Sequence, residues 1–156
     1  MVEDSVESFV IQFRPYAAEV EILPRIEGSP LIECFVAGKI LHVLERTGPY
    51  DARPGRTKLI LSVVSEKIIP LTETKKAFSA PSIGRIKAQG VVLAREEESL
   101  IVDAGLPLVV SSFNELPTDT AQGDWVSFDS LAPLHGFVVK PEKRVYRRES
   151  GEGDAI

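Results

Sequence analysis

Arg85-Ile86-Lys87-Ala88-Gln89-Gly90-Val91-Val92-Leu93-Ala94-Arg95 puts Ile86, Ala88, Gly90, Val92 and Ala94 on one side of an extended chain. Arg85, Lys87, Gln89, Val91, Leu93 and Arg95 fall on the other, and a period of two is that of a β-strand with two unlike faces. Two further segments, Ser99 to Ser112 and Gly123 to Val139, are punctuated by turn residues and each can pair with its neighbour. Upstream, Ala17 to Leu23 alternates, Leu31 to Arg46 is a long β-type segment, and Lys58 to Ser65 and Ile68 to Leu71 follow. Nine or ten short strands with glycine or proline at most corners predict an all-β fold with little helix. An antiparallel β-barrel is expected, because closure removes the edges that so many β-branched runs would expose.

The chain has 156 residues, enough for one well-cored domain or two very small ones. A hydrophobic fraction of 44% and a charged fraction of 26% are those of an ordinary globular protein, which excludes disorder throughout. No apolar run approaches the length that crosses a bilayer, and Met1 to Ser8 is acidic rather than basic-then-apolar, so a cytoplasmic location is expected. Cys34 is the single cysteine, which rules out an intrachain disulfide and a cysteine-based zinc site.

Residues 1–8 read as a flexible acidic terminus, 9–139 as one barrel domain with halves at 9–74 and 82–139, and 140–156 as a charged tail. Glycine inside a strand marks a bulge or bend, so Gly38 is expected to bend Leu31–Arg46 across both halves of the barrel, and Gly90 to do the same in its strand. Lys75 to Ser82 reads as a connection with one helical turn around Lys76-Ala77-Phe78, and Pro133 as an interruption before Gly136 to Val139. Gly38-Lys39-Ile40-Leu41 set over Gly90-Val91-Val92-Leu93 gives a faint internal echo, with the loop Thr47 to Thr57 as an insertion. The plain reading of the echo is two unrelated hairpins.

The long segment bent at Gly38, with the restart Gly123-Asp124-Trp125-Val126-Ser127-Phe128, resembles the oligonucleotide-binding (OB) fold and its SH3-like relatives over residues 31–139. The resemblance is one of architecture and extends to either one barrel or two fused small ones. It implies that the loop Thr47 to Lys58 flanks a binding groove.

Charge is distributed unevenly along the chain, whose net charge is −5. From Arg53 to Arg95 nine bases face two acids, and from Glu96 to Val139 eight acids face none. An acidic protein of this kind can own a basic face. Arg85 and Lys87 can track a phosphate backbone along one strand face, and Tyr50, Arg53, Arg56 and Lys58 offer a stacking ring with three cations in one loop. Arg144, Arg147 and Arg148, with Lys143 and Tyr146, repeat the mixture in the tail. Trp125, opposite in phase to Val126 and Phe128, is expected to plug a barrel end.

No catalytic, metal or cofactor motif emerges. Asp129, Ser130 and His135 lie close in sequence without a strained nucleophile turn, Cys34 and His42 are a poor ligand pair, and Glu96-Glu97-Glu98 reads as a solvated hairpin tip. The leading expectation is therefore a non-enzymatic OB-like module that binds single-stranded or structured nucleic acid. The alternative is a protein-interaction or assembly module, with a protein partner or a second copy, whose acidic and basic surfaces pair. Neither reading involves a membrane.

Overall fold

Gly55–Leu71 and Trp125–Val139, the two longest strands, run antiparallel to one another over most of their length and carry the rest of the molecule. The structure is a computed structural model that describes residues 2–48, 52–96 and 98–140. In chain order, helix α1 (Val2–Phe13) and a 3-10 turn (Arg14–Tyr16) precede strands β1 (Ala18–Ile22), β2 (Leu31–Val36), β3 (Lys39–Glu45) and β4 (Gly55–Leu71). Then come β5 (Ala77–Ser79), β6 (Lys87–Glu96), β7 (Ser99–Asp103), β8 (Pro107–Ser112) and β9 (Trp125–Val139).

The nine strands form one sheet in the order β1-β2-β3-β9-β4-β8-β7-β6-β5. Two extra pairings, β1 with β4 and β9 with β6, close it into two circuits of five strands. The first runs β1-β2-β3-β9-β4 and back to β1; the second runs β6-β7-β8-β4-β9 and back to β6. Each holds a three-stranded antiparallel meander, and each contains one parallel contact, β3 with β9 in the first and β8 with β4 in the second. The first half of β4 and second half of β9 belong to the first circuit, and the remaining halves to the second. Neither 9–74 nor 82–139 closes a circuit alone.

The pairing pattern thus repeats, but not in the register of the Gly38-over-Gly90 echo. It sets β1 to β4 over β6 to β9, so Ile22 corresponds to Val92, Cys34 to Val102, and Arg56 to Trp125. Gly38 does not bend a strand that serves both halves. Ala37 and Gly38 both take positive φ, 50° and 83°, as in the two-residue turn that suits a tight hairpin, and they join β2 to β3. The strands that serve both halves are β4 and β9. Register shifts in β4 between Ser62 and Val64 and between Ser65 and Ile68 redirect it from one circuit to the other.

Gly90 marks no bulge either, since the shift in β6 falls between Val92 and Ala94. It allows close approach: a Cβ there would lie 2.0 Å from the carbonyl oxygen of Asp103 and 2.8 Å from Cα of Ala104. The segment expected to carry a helical turn at Lys76-Ala77-Phe78 instead contributes the short strand β5, and Pro133 lies inside a continuous β9.

Apolar side chains form two clusters. The larger fills the circuits and includes Val20, Ile22, Cys34, Leu59, Leu61, Val92, Leu100, Val102, Leu108, Val110, Phe128 and Val138. The second contains Phe13, Ile60, Ile101, Val109, Phe137 and Val139. Consecutive residues therefore face different cores, and runs such as Leu59-Ile60-Leu61 are buried on both faces, as near-continuous apolar strands are.

Helix α1 covers that second cluster, where residues 1–8 had read as a flexible terminus. Val6, Phe9, Val10 and Phe13 recur with the spacing of one helical face and pack there. The Phe9 ring lies 4.6 Å from Phe13 and 4.4 Å from Phe137. Arg14 ties the end of the helix to β9 through a 2.7 Å bond from Nη2 to the Lys140 carbonyl. The tail from 141 to 156 lies outside the described residues. Among the described residues, no helix is long and apolar enough to cross a membrane.

Candidate interaction surface

The outer face of the first circuit is built by alternation. In β1, Ala18, Val20 and Ile22 are buried while Glu19 and Glu21 point out. In β4, Arg56 and Lys58 point out beside buried Leu59. In β2 and β3 the inward Cys34, Val36, Leu41 and Val43 leave Glu33, Phe35, Ile40 and His42 on the outside. Strand register then sets Arg56, Glu21, Phe35 and Ile40 side by side in one row across four strands. Lys58 and Glu19 form the next pair in the adjacent row. Phe35 and Ile40 are 45% and 47% exposed, an open aromatic-aliphatic pair at the end of a charged row. Between β1, the end of β2 and the start of β4 lies a groove of about 550 Å3, lined by Glu19, Glu21, Phe35, Ala37, Arg56 and Lys58.

Carboxylates stand beside basic side chains on this face. Glu21 faces Arg56, Glu19 faces Lys58, and Glu33 Oε2 holds His42 Nε2 at 3.1 Å. Like the first two pairs, Lys87 in the second circuit sits directly across from Asp129. Lys87 lines a different groove of about 660 Å3, where Ile69, Ser127, Gln89 and Ala77 form one row and Asp129, Lys87 and Ser79 the next.

The basic residues singled out in the sequence are therefore divided. Arg53 is exposed just ahead of β4, and Arg56 and Lys58 belong to the first circuit. Arg85 precedes β6 and spends its Nε on the Ser130 carbonyl at 3.2 Å, and Lys87 belongs to the second circuit. Tyr50, Arg144, Arg147 and Arg148 lie outside the described residues. The last third of the expected loop Thr47 to Lys58 is strand, since β4 begins at Gly55. Its start is pinned by the Glu45 carboxylate, which accepts from the amides of Thr47 and Gly48 and from the Thr47 hydroxyl.

Trp125 does not plug a core. It points outward, half-buried, in a row with Leu71 and Val91, while Val126 and Phe128 face in. Asp129, Ser130 and His135 are not brought together: the Ser130 hydroxyl accepts the Ile86 amide at 2.8 Å, and Asp129 points to the opposite face. His135 Nδ1 accepts from Arg46 Nη1 at 3.0 Å, and burial together with the Arg46 charge lowers its pKa below the ordinary 6.5. Cys34 faces the core, where burial pushes its thiol up to about 12, while His42 faces out.

Sequence reasoning missed Glu19, Glu21, Phe35 and Ile40. The signal that finds the last two is Phe35-Val36-Ala37-Gly38-Lys39-Ile40, alternation broken by two residues suited to a hairpin turn. Comparison with known proteins returns no matching family model, no matching curated protein and no matching solved structure.

Proposed function

We propose that each circuit is an OB-like barrel and that the protein is an interaction module that docks a protein partner on the outer face of β1, β2, β3 and the start of β4. The row Arg56, Glu21, Phe35, Ile40 carries this reading. An exposed aromatic-aliphatic pair flanked by charges of both signs has the make-up of an interface, with an apolar centre and a polar rim. A phosphate backbone following Arg56 and Lys58 would meet Glu21 and Glu19 at every step, whereas a polypeptide of mixed charge can satisfy both signs.

Affinity capture with the wild-type chain and with Phe35→Asp/Ile40→Asp tests the reading. Both side chains are half in solvent, so the variant should fold normally and lose the partners that the wild type retains. A variant that captures the same set would overturn the proposal.

A second reading, nucleic-acid binding, draws on Arg56 and Lys58 lining one groove with exposed Phe35, a ring on which a base can stack. Fluorescence anisotropy with a labelled oligonucleotide at ~50 mM salt, where phosphate contacts are strongest, separates the two.

A further inference from the structure

The repeated pairing pattern supplies its own comparison. Glu19, Glu21 and Phe35 in the first circuit correspond to Gln89, Val91 and Asp103 in the second, because Glu21 pairs with Phe35 and Arg56 as Val91 pairs with Asp103 and Trp125. In both places the central meander strand stops short. β7 pairs with β6 only as far as Val91, and β2 pairs with β1 only as far as Glu21.

What lies beyond the stop differs. In the second circuit β5 adds to the exposed edge of β6, with Ala77 opposite Gln89 and Ser79 opposite Lys87. Val92 exchanges hydrogen bonds with Gly123 and Asp124 on the other side, so Gln89 and Lys87, of opposite phase, turn their backbone groups toward β5. Side chains anchor the added segment: Lys76 Nζ lies 2.8 Å from Asp103, Gln89 Nε2 donates to the Lys75 carbonyl at 2.8 Å, and Phe78 packs against the larger core.

In the first circuit the corresponding edge carries no strand among the described residues. Leu23 donates to the Glu33 carbonyl, so Glu21 and Glu19, in the same phase, point their backbone groups to that side. Glu21 meets Phe35, and Glu19 opens onto the groove of about 550 Å3.

We propose that this edge takes up an extended segment of a partner polypeptide as an added strand, as β5 is added to β6; the inference rests on the docking face proposed above. Main-chain pairing would give the affinity, and side chains the selection. The segment β5 belongs to is basic then apolar, Lys75-Lys76-Ala77-Phe78-Ser79-Ala80. On β1 such a segment sets a cation beside Glu19, and Phe35 stands where Asp103 stands in the second circuit. A cation or an apolar side chain suits that ring. A second copy paired edge to edge would set Glu19 and Glu21 against their own equivalents, and like charges directly opposite are destabilising.

The probe is a capped peptide with the sequence of residues 74–80, titrated into the isotope-labelled full chain and followed by amide shifts and hydrogen exchange. Saturable shifts centred on Glu19, Glu21 and Phe35, with slowed exchange at Glu19, are expected. N-methylation of the peptide at Ala77 and Ser79 should weaken binding about tenfold or more, the loss of backbone hydrogen bonds. N-methylation at Phe78, whose amide points away, should be tolerated. Shifts confined to Gln89 and Lys87, self-association through β1, or equal binding by all three peptides would each overturn strand addition. So would absence of binding at millimolar peptide. The docking face itself falls only if Phe35→Asp/Ile40→Asp leaves the captured partners unchanged, so the two failures are distinguishable.

Discussion

Ser65 and Ser130 face one another across the β4–β9 pair, both fully buried, and each spends its hydroxyl on the backbone where the circuits meet. Ser65 Oγ donates to the Lys67 carbonyl at 2.8 Å and accepts the Lys67 amide at 3.3 Å, bridging the bulge that redirects β4. Ser130 Oγ accepts the Ile86 amide at 2.8 Å, and the Ser130 amide donates to the Ile86 carbonyl. Ser130→Ala leaves the Ile86 amide without its partner in the interior. We expect a loss of about 1–2 kcal/mol for each serine-to-alanine change, measured by urea unfolding.

Gly90 and Gly38 should respond differently to alanine. A methyl at Gly90 collides with the Asp103 and Ala104 backbone, which cannot rotate away, so Gly90→Ala is expected to cost roughly 3 kcal/mol or more. Gly38 has open space around it and a φ of 83°, so Gly38→Ala should cost only about 1 kcal/mol of backbone strain. Equal losses in the two variants would contradict this assignment.

Phe13 is 4% exposed, meets the Phe9 ring within α1 and holds the helix against the second cluster on β9. Phe13→Ala should destabilise the protein by about 3–5 kcal/mol and increase binding of a hydrophobic dye, as Ile60, Phe137 and Val139 lose their cover. Normal stability in that variant would mean that the helix is dispensable.

His135 must be neutral for Nδ1 to accept from Arg46. Its folded pKa lies below the ordinary 6.5, so the unfolded chain takes the proton first. The stability it supports is complete above about pH 6.5 and falls as pH drops from there toward the lowered folded value. Between pH 7.5 and 5.5 the wild type should therefore lose more thermal stability than His135→Gln, and equal losses would remove His135 from the account.

Strands with one wet face were legible in the sequence. Ala18–Ile22 and Lys87–Val92 alternate as their residues predict. Leu59-Ile60-Leu61 and Phe137-Val138-Val139 carry no alternation because α1 buries their second face. That helix was itself hidden, since its apolar face was divided between Val6, in the stretch read as a flexible acidic terminus, and Phe9, Val10 and Phe13, counted with the barrel. The candidate surface was legible by halves. Lys87 was expected on a strand face and Arg56 and Lys58 in a loop; all three are exposed on strands, but the carboxylates opposite them come from distant strands, and pairing register is not local information.

Because β4 and β9 each belong to both circuits, neither ring has a complete set of strands in any stretch of chain that ends before Trp125. A nascent chain emerging from its N-terminus can form the β1-β2-β3 and β6-β7-β8 meanders early, yet it must wait for the last strand before closing either ring. Such non-local closure is slow. The same strand then completes both at once, and the two rings should form and melt as a single cooperative step.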